Sequence, residues 1–182
     1  MTAIDVLRDE HRRIEQMLTV LDRVASGLEH GGVAPAYVEE LLDFFRLFAD
    51  ARHHRKEEDR LFPVIAGHGF SQDFGVVEAL KHQHELGRTH VRDMRVHLAA
   101  LRAGDYRAGE AFVASAHAYA ELLRVHIRME DDDLYPDVAS TLTREEERAL
   151  ADLFTALDTT KTALDESTRW DRLAEQAAGF SR

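Results

Sequence analysis

The chain has 182 residues, is 45% apolar and carries a formal net charge of −11, which suits one domain with a substantial core and is short for two. It contains no cysteine, which excludes disulfides, thiolate metal sites, iron–sulfur ligation and cysteine nucleophiles. The acidity argues against nucleic acid as a partner; no run of residues has the apolar length of a signal-peptide core or a membrane span, so a cytoplasmic protein is expected.

Helical periodicity runs through almost the whole sequence. The first segment opens with Thr2 and Asp5 spaced as a capping box, then carries Leu7, His11, Ile14, Leu18, Leu21, Ala25 and Leu28 until Gly31 and Gly32 stop it. The second begins after Pro35 and places Val38, Leu42, Phe45, Ala49, His53, Glu57 and Leu61 on one stripe, with a stop expected at Pro63. The third carries Val77, Leu80, His84, Gly87, Val91, Met94, Leu98 and Leu101 and ends near Gly104. The fourth carries Phe112, Ala116, Tyr119, Leu123, His126, Glu130 and Leu134 and closes at Pro136. Short connections between long helices predict an all-α, up-down four-helix bundle over residues 1–137. Residues 138–182 form a C-terminal helical extension with a capping box at Thr143 and Glu146 and an apolar face through Leu150, Leu153 and Phe154. A further short helix follows from Ser167, with Trp170 and Leu173, into a loose tail ending about Phe180. This extension either covers one side of the bundle or makes a homodimer contact; the sequence leaves both open.

The first and second halves repeat at an offset of 73. His11 returns as His84, His53 as His126 and Glu57 as Glu130, and HHRKEEDRLFP at 53–63 returns as HIRMEDDDLYP at 126–136. All six polar residues lie on the apolar stripes of their helices. Two unpaired buried carboxylates would each cost several kcal/mol or take up a proton. A bound cation removes that cost. The spacing His-x-x-x-Glu stacks two side chains one turn apart, about 6 Å along the axis, so both reach one centre. Each glutamate can bridge two metals, which leaves two imidazoles per metal and room for an exogenous ligand. Imidazole and carboxylate without thiolate favour iron, with manganese and zinc as lesser alternatives.

Other registers fare worse. His54 and Glu58 have the same spacing, but a regular α-helix turns them about 100° from the stripe, and their repeats are Ile127 and Asp131. His54 is therefore set outside the ligand set, with Glu58 and Asp131 either tuning the site or solvated. His84-Glu85-Leu86-Gly87-Arg88 fails the zinc-protease pattern at its last position, and no site histidine follows a glutamate by three as a ferritin-type site requires. His30, His68, His82, His90, His97 and His117 do not repeat and are assigned to surface or loops. Gly87 serves close helix packing or leaves a pocket beside the metals, Leu61 and Leu134 form an apolar lid, and Tyr135 is assigned to packing, with a redox role for it or for Tyr119 as the alternative.

On these residues the chain resembles the hemerythrin-like, HHE cation-binding family. The resemblance covers roughly residues 4–137 and rests on the histidine of DEHRRIE, on HHRKEE-x-x-LFP, on QHELGR and on HIRMED-x-x-LYP. It implies a non-haem di-iron centre, oxo- or hydroxo-bridged, that binds oxygen, nitric oxide or peroxide, with His11, His53, Glu57, His84, His126 and Glu130 as ligands. Oxygen carriers of the family have another histidine four residues after the third-helix ligand, where this chain has Arg88. That leaves six protein ligands, similar to the subgroup linked with nitrosative stress, iron–sulfur repair or iron sensing, and argues against reversible oxygen carriage. The repair proteins of that subgroup often carry a Cys-bearing N-terminal segment, which this chain lacks. The expected function is binding of small oxidants or diatomic ligands in stress response or sensing. A di-iron oxidoreductase acting on peroxide or nitric oxide, or iron storage, is the alternative, and without a nicotinamide or flavin fingerprint a reductase would need an outside electron donor.

Overall fold

The computed structural model describes residues 1–29, 33–159 and 161–177. His30, Gly31 and Gly32, and the tail beyond Ala177, lie outside the described residues. Six helices and no strands make up the described residues. Helix α1 is Ala3–Glu29; α2 spans 35–66, α3 is Val76–Arg102 and α4 spans 108–141. Two more follow, α5 at Arg144–Asp158 and α6 at Lys161–Ala177. The predicted caps form: Thr2 and Asp5 exchange bonds of 2.8 and 3.0 Å, and Thr143 and Glu146 make a reciprocal box. Gly104 ends α3 with φ +97°, a left-handed position that glycine takes without steric penalty.

Helices α1 to α4 close a four-helix bundle, α1 packing along α4 and α2, and α3 along α4 and α2. The core falls into two apolar clusters with a polar layer between them. One holds Ile14, Leu18, Phe45, Met94, Phe112 and Tyr119; the other holds Leu7, Leu61, Phe62, Leu80, Leu134 and Tyr135. The extension covers the bundle. Leu150 and Phe154 of α5 join the second cluster, and Trp170 and Leu173 of α6 join the first. No helix among the described residues is long and apolar enough to cross a membrane.

Helices α2 and α4 depart from α geometry where the polar layer lies. Helix α2 is α-helical over Pro35–Phe44, π-helical over Phe45–His54 and Glu57–Leu61, and α-helical again over Phe62–Ala66. Helix α4 is α-helical over Ala108–Arg128, π-helical over Met129–Leu134 and α-helical over Tyr135–Thr141. The amide of Phe62 donates to the Glu57 carbonyl and that of Tyr135 to the Glu130 carbonyl, five residues back in both halves. This changes the expected ends. Pro63 and Pro136 do not stop their helices; each falls in the first turn of a resumed α segment, where a missing N–H leaves no intrahelical bond unmade.

Candidate metal centre

His11 comes from α1, His53 and Glu57 from α2, His84 from α3, and His126 and Glu130 from α4. None is more than 1% exposed. Their ligand atoms form two groups, His11, His53, Glu57 and Glu130, and His84, His126, Glu57 and Glu130, each within 4.8 Å of one another. Both carboxylates belong to both groups. Glu130 Oε2 lies 3.1 Å from His11 Nε2 and 3.2 Å from His126 Nε2, and Glu57 Oε2 lies 3.8 Å from His53 Nε2 and 3.5 Å from His84 Nε2. Each glutamate therefore sits between a histidine of one half and a histidine of the other.

The histidines are held from behind. His11 Nδ1 donates to Asp131 at 3.0 Å, His53 Nδ1 to Glu10 at 3.0 Å, His84 Nδ1 to Glu58 at 2.6 Å and His126 Nδ1 to the Gln83 amide oxygen at 2.9 Å. With Nδ1–H turned outward, the inward lone pairs are on Nε2, the tautomer a metal needs. These Nε2 atoms meet in pairs, His11 with His53 at 3.0 Å and His84 with His126 at 3.2 Å. Two bare lone pairs so close require a positive particle between them. Glu57 Oε2 and both oxygens of Glu130 are buried without a hydrogen-bond partner, the same deficit seen from the carboxylate side. The donor set fits a pair of cations.

A family model, the hemerythrin HHE cation binding domain, matches residues 2–138. The chain belongs to the hemerythrin HHE family. Among curated proteins, this hemerythrin-like chain is similar to the uncharacterized proteins Rv1995 and MT2051 of Mycobacterium tuberculosis and Mb2018 of Mycobacterium bovis, each 24% identical over 155 residues. The match takes in 85% of this chain but only 60% of the length of each relative. No solved structure matches it.

The ionisation of the metal-free hemerythrin site shows what a cation replaces. Burial alone would lower the His11 pKa, yet Asp131 and Glu130 outweigh it and push it up to about 9. Burial dominates at His53 and takes it down to about 4. A proton on His11 Nε2 thus fills the gap to His53 when no metal does. Burial, reinforced by the charge of Glu130, pushes the Glu57 carboxyl well up, while His126 and His11 overcome burial to hold Glu130 well down. Metal loading must displace these protons.

Several residues have roles that sequence reasoning missed. The Tyr135 hydroxyl, assigned to packing, donates to Glu57 Oε1 at 2.6 Å, and its ring stacks on His11 with centroids 5.4 Å apart. Glu10 and Gln83, the acceptors behind His53 and His126, repeat at the offset of 73 and could have been found by it. Buried Lys56 binds Glu10 at 2.6 Å and Asp158 of α5 at 2.7 Å, tying the extension to the shell behind His53. Arg88 faces outward and donates to Asp50, Glu58 and Glu85. Leu61 and Leu134 are buried in the apolar cluster beside the site, while His68, His82, His90, His97 and His117 are partly or fully exposed and outside it. A Cβ on Gly87 would meet Tyr119 at 3.5 Å, an ordinary contact, so packing alone does not demand glycine. Gly87 instead lines a cavity of about 350 Å³ with Phe45, Asp50, His54, Arg88 and Tyr119.

His54 is the main departure. The helical wheel sets it aside, but it is 3% exposed and its ring stacks on His84 with centroids 3.9 Å apart. An i→i+5 turn takes more residues than an α turn, so successive side chains diverge less and His53 and His54 both face inward. Buried neighbours show the step: Phe48 and Ala49, then His53 and His54 five residues on.

Proposed function

We propose that the chain holds two iron ions, ligated by His11, His53, Glu57, His84, His126 and Glu130, and uses them to bind a diatomic molecule or peroxide. The observation that carries this reading is the sharing of Glu57 and Glu130 between two ligand groups. A single structural ion would need only one group. Bound iron supplies open coordination positions and redox electrons. The residues supply the rest: outward Nδ1–H bonds fix each imidazole, and Leu61 and Leu134 keep an apolar wall beside the centre that favours small uncharged ligands. Stress response or sensing is the role proposed, in the cytoplasm. A homodimer is not needed to complete the site, since every residue in it comes from one chain.

Turnover of peroxide or nitric oxide is the second reading, favoured by the buried Tyr135 hydroxyl, which places a hydrogen-bond donor at the centre, 2.6 Å from Glu57. Anaerobic loading with ferrous iron, followed by separate optical titrations with oxygen, nitric oxide and peroxide, tests both. Saturable spectral change identifies a bound ligand, and continued consumption of peroxide or nitric oxide identifies an enzyme. A protein that takes up iron but responds to none of the three contradicts both.

A further inference from the structure

We propose that the cavity between α2 and α3 is a binding site for an elongated organic acid, one carboxylate on an apolar body. The site is separate from the metal centre, since none of the six proposed ligands lines the cavity.

Its shape follows one strip of α3. Gly87, Arg88, Val91, Arg92 and Arg95 line it, and the eight steps from Gly87 to Arg95 rise about 12 Å. Helix α2 faces this strip in the opposite direction: Arg88 donates to Asp50, and Arg95 to Asp43, seven residues earlier. The volume of about 350 Å³ suits a small molecule. The two ends differ in chemistry. His54 closes the end toward the metals, its ring stacked on His84 with centroids 3.9 Å apart. The middle is apolar, formed by Val91 and by the rings of Phe45 and Tyr119. Arg46, Arg92 and Arg95 gather at the other end.

That end is short of negative charge. Asp43 is the carboxylate of both Arg46, at 3.6 Å, and Arg95, at 2.7 Å, and it also holds Arg169 at 3.2 Å. Arg92 donates to Thr89 at 3.0 Å and meets no carboxylate among the described residues. Three guanidiniums thus stand over one carboxylate in a chain whose net charge is −11.

Unmade hydrogen bonds point the same way. Among the described residues, seven buried side-chain polar atoms lack a partner. Three are the carboxylate oxygens of the metal centre, and three more, Arg95 Nε and both nitrogens of His54, belong to residues lining this cavity. A carboxylate at the arginine end accepts from Arg95 Nε and offsets the charge of Arg92. Its apolar body then lies over Phe45, Val91 and Tyr119. Gly87 keeps the inner end wide, because a Cβ there would already touch Tyr119 at 3.5 Å. An inorganic anion would leave the apolar middle unfilled, and a neutral hydrocarbon would leave the arginines uncompensated.

Isothermal titration calorimetry of the purified full chain with octanoate, octanol and acetate tests the assignment. Octanoate is expected to bind at one site, about 10-fold or more tighter than octanol or acetate. Arg92→Glu, at an exposed position, should weaken octanoate about 10-fold. Gly87→Leu should fill the inner end and abolish binding, with its melting temperature checking that it folds; should it not fold, Arg92→Glu decides. Octanoate that does not bind at millimolar concentration, binds no better than octanol, or binds Arg92→Glu as well as the wild type overturns the proposal. So does unchanged binding to folded Gly87→Leu. Metal per chain, counted on the same samples, reports on the two-metal reading separately.

Discussion

The two halves of the centre share a scaffold and differ in what decorates it. In each, a histidine from a single-ligand helix pairs with one from a His-x-x-x-Glu helix, and both are held from behind by acceptors that also repeat, Glu58 with Asp131 and Glu10 with Gln83. An aromatic ring lies parallel to the first histidine each time, Phe62 to His84 and Tyr135 to His11. The repeat at an offset of 73 runs through the whole cradle. The departures then fall on opposite sides: His54 stands with His84 and His126, whereas Tyr135, Lys56 and Glu10 stand with His11 and His53. A symmetric cradle would hold two equal metals, and this one offers a histidine-rich side and a side with a hydroxyl and a buried cation behind it.

The largest effects should come from what the halves share. Glu57→Ala or Glu130→Ala removes a carboxylate from both groups and should abolish binding of both metals, read as metal per chain by mass spectrometry. Retention of one metal would mean that the glutamates do not bridge. Next comes Lys56→Met, which installs the residue of the other half, Met129. It leaves Glu10 buried without its cation and should destabilise the fold by on the order of 3 kcal/mol in denaturant unfolding. A cost below about 1 kcal/mol would show that Lys56 is not holding that shell.

The pH dependence of the metal-free chain sharpens the comparison further. His11 is raised from 6.5 to about 9, so its contribution to stability is complete below about pH 6.5 and is lost as pH rises through 9. The melting temperature of metal-free protein should fall over that window. Metal-loaded protein has already given up the proton and should stay flat there, and parallel curves would contradict the assignment. The smallest effect belongs to Tyr135→Phe, which makes the first half match Phe62 in the second. Losing the bond to Glu57 should cost about 1 kcal/mol and leave two metals bound, measured by unfolding and metal content.

The bundle, its caps and the six convergent residues were legible because they depend on the period of 3.6 and on a repeat. His54 was not, because the wheel assumes about 100° per residue and the π turns around the site break that assumption. The same turns carried the helices through Pro63 and Pro136. Tyr135 was read as packing because its repeat is Phe62, and nothing in a sequence aims a hydroxyl at Glu57. The placement of α5 and α6 had no local signal either: an amphipathic face says that it will be covered, and only the meeting of Asp158 with Lys56 and of Phe154 with the second cluster says by what.

The central claim is that two metals share two carboxylates inside one chain. Iron-loaded, air-oxidised protein examined by Mössbauer spectroscopy together with metal counting tests it most directly. The account predicts two irons per chain that are magnetically coupled, with unequal quadrupole splittings for the two sides. One iron per chain, or two that behave as isolated high-spin ferric ions, would contradict it.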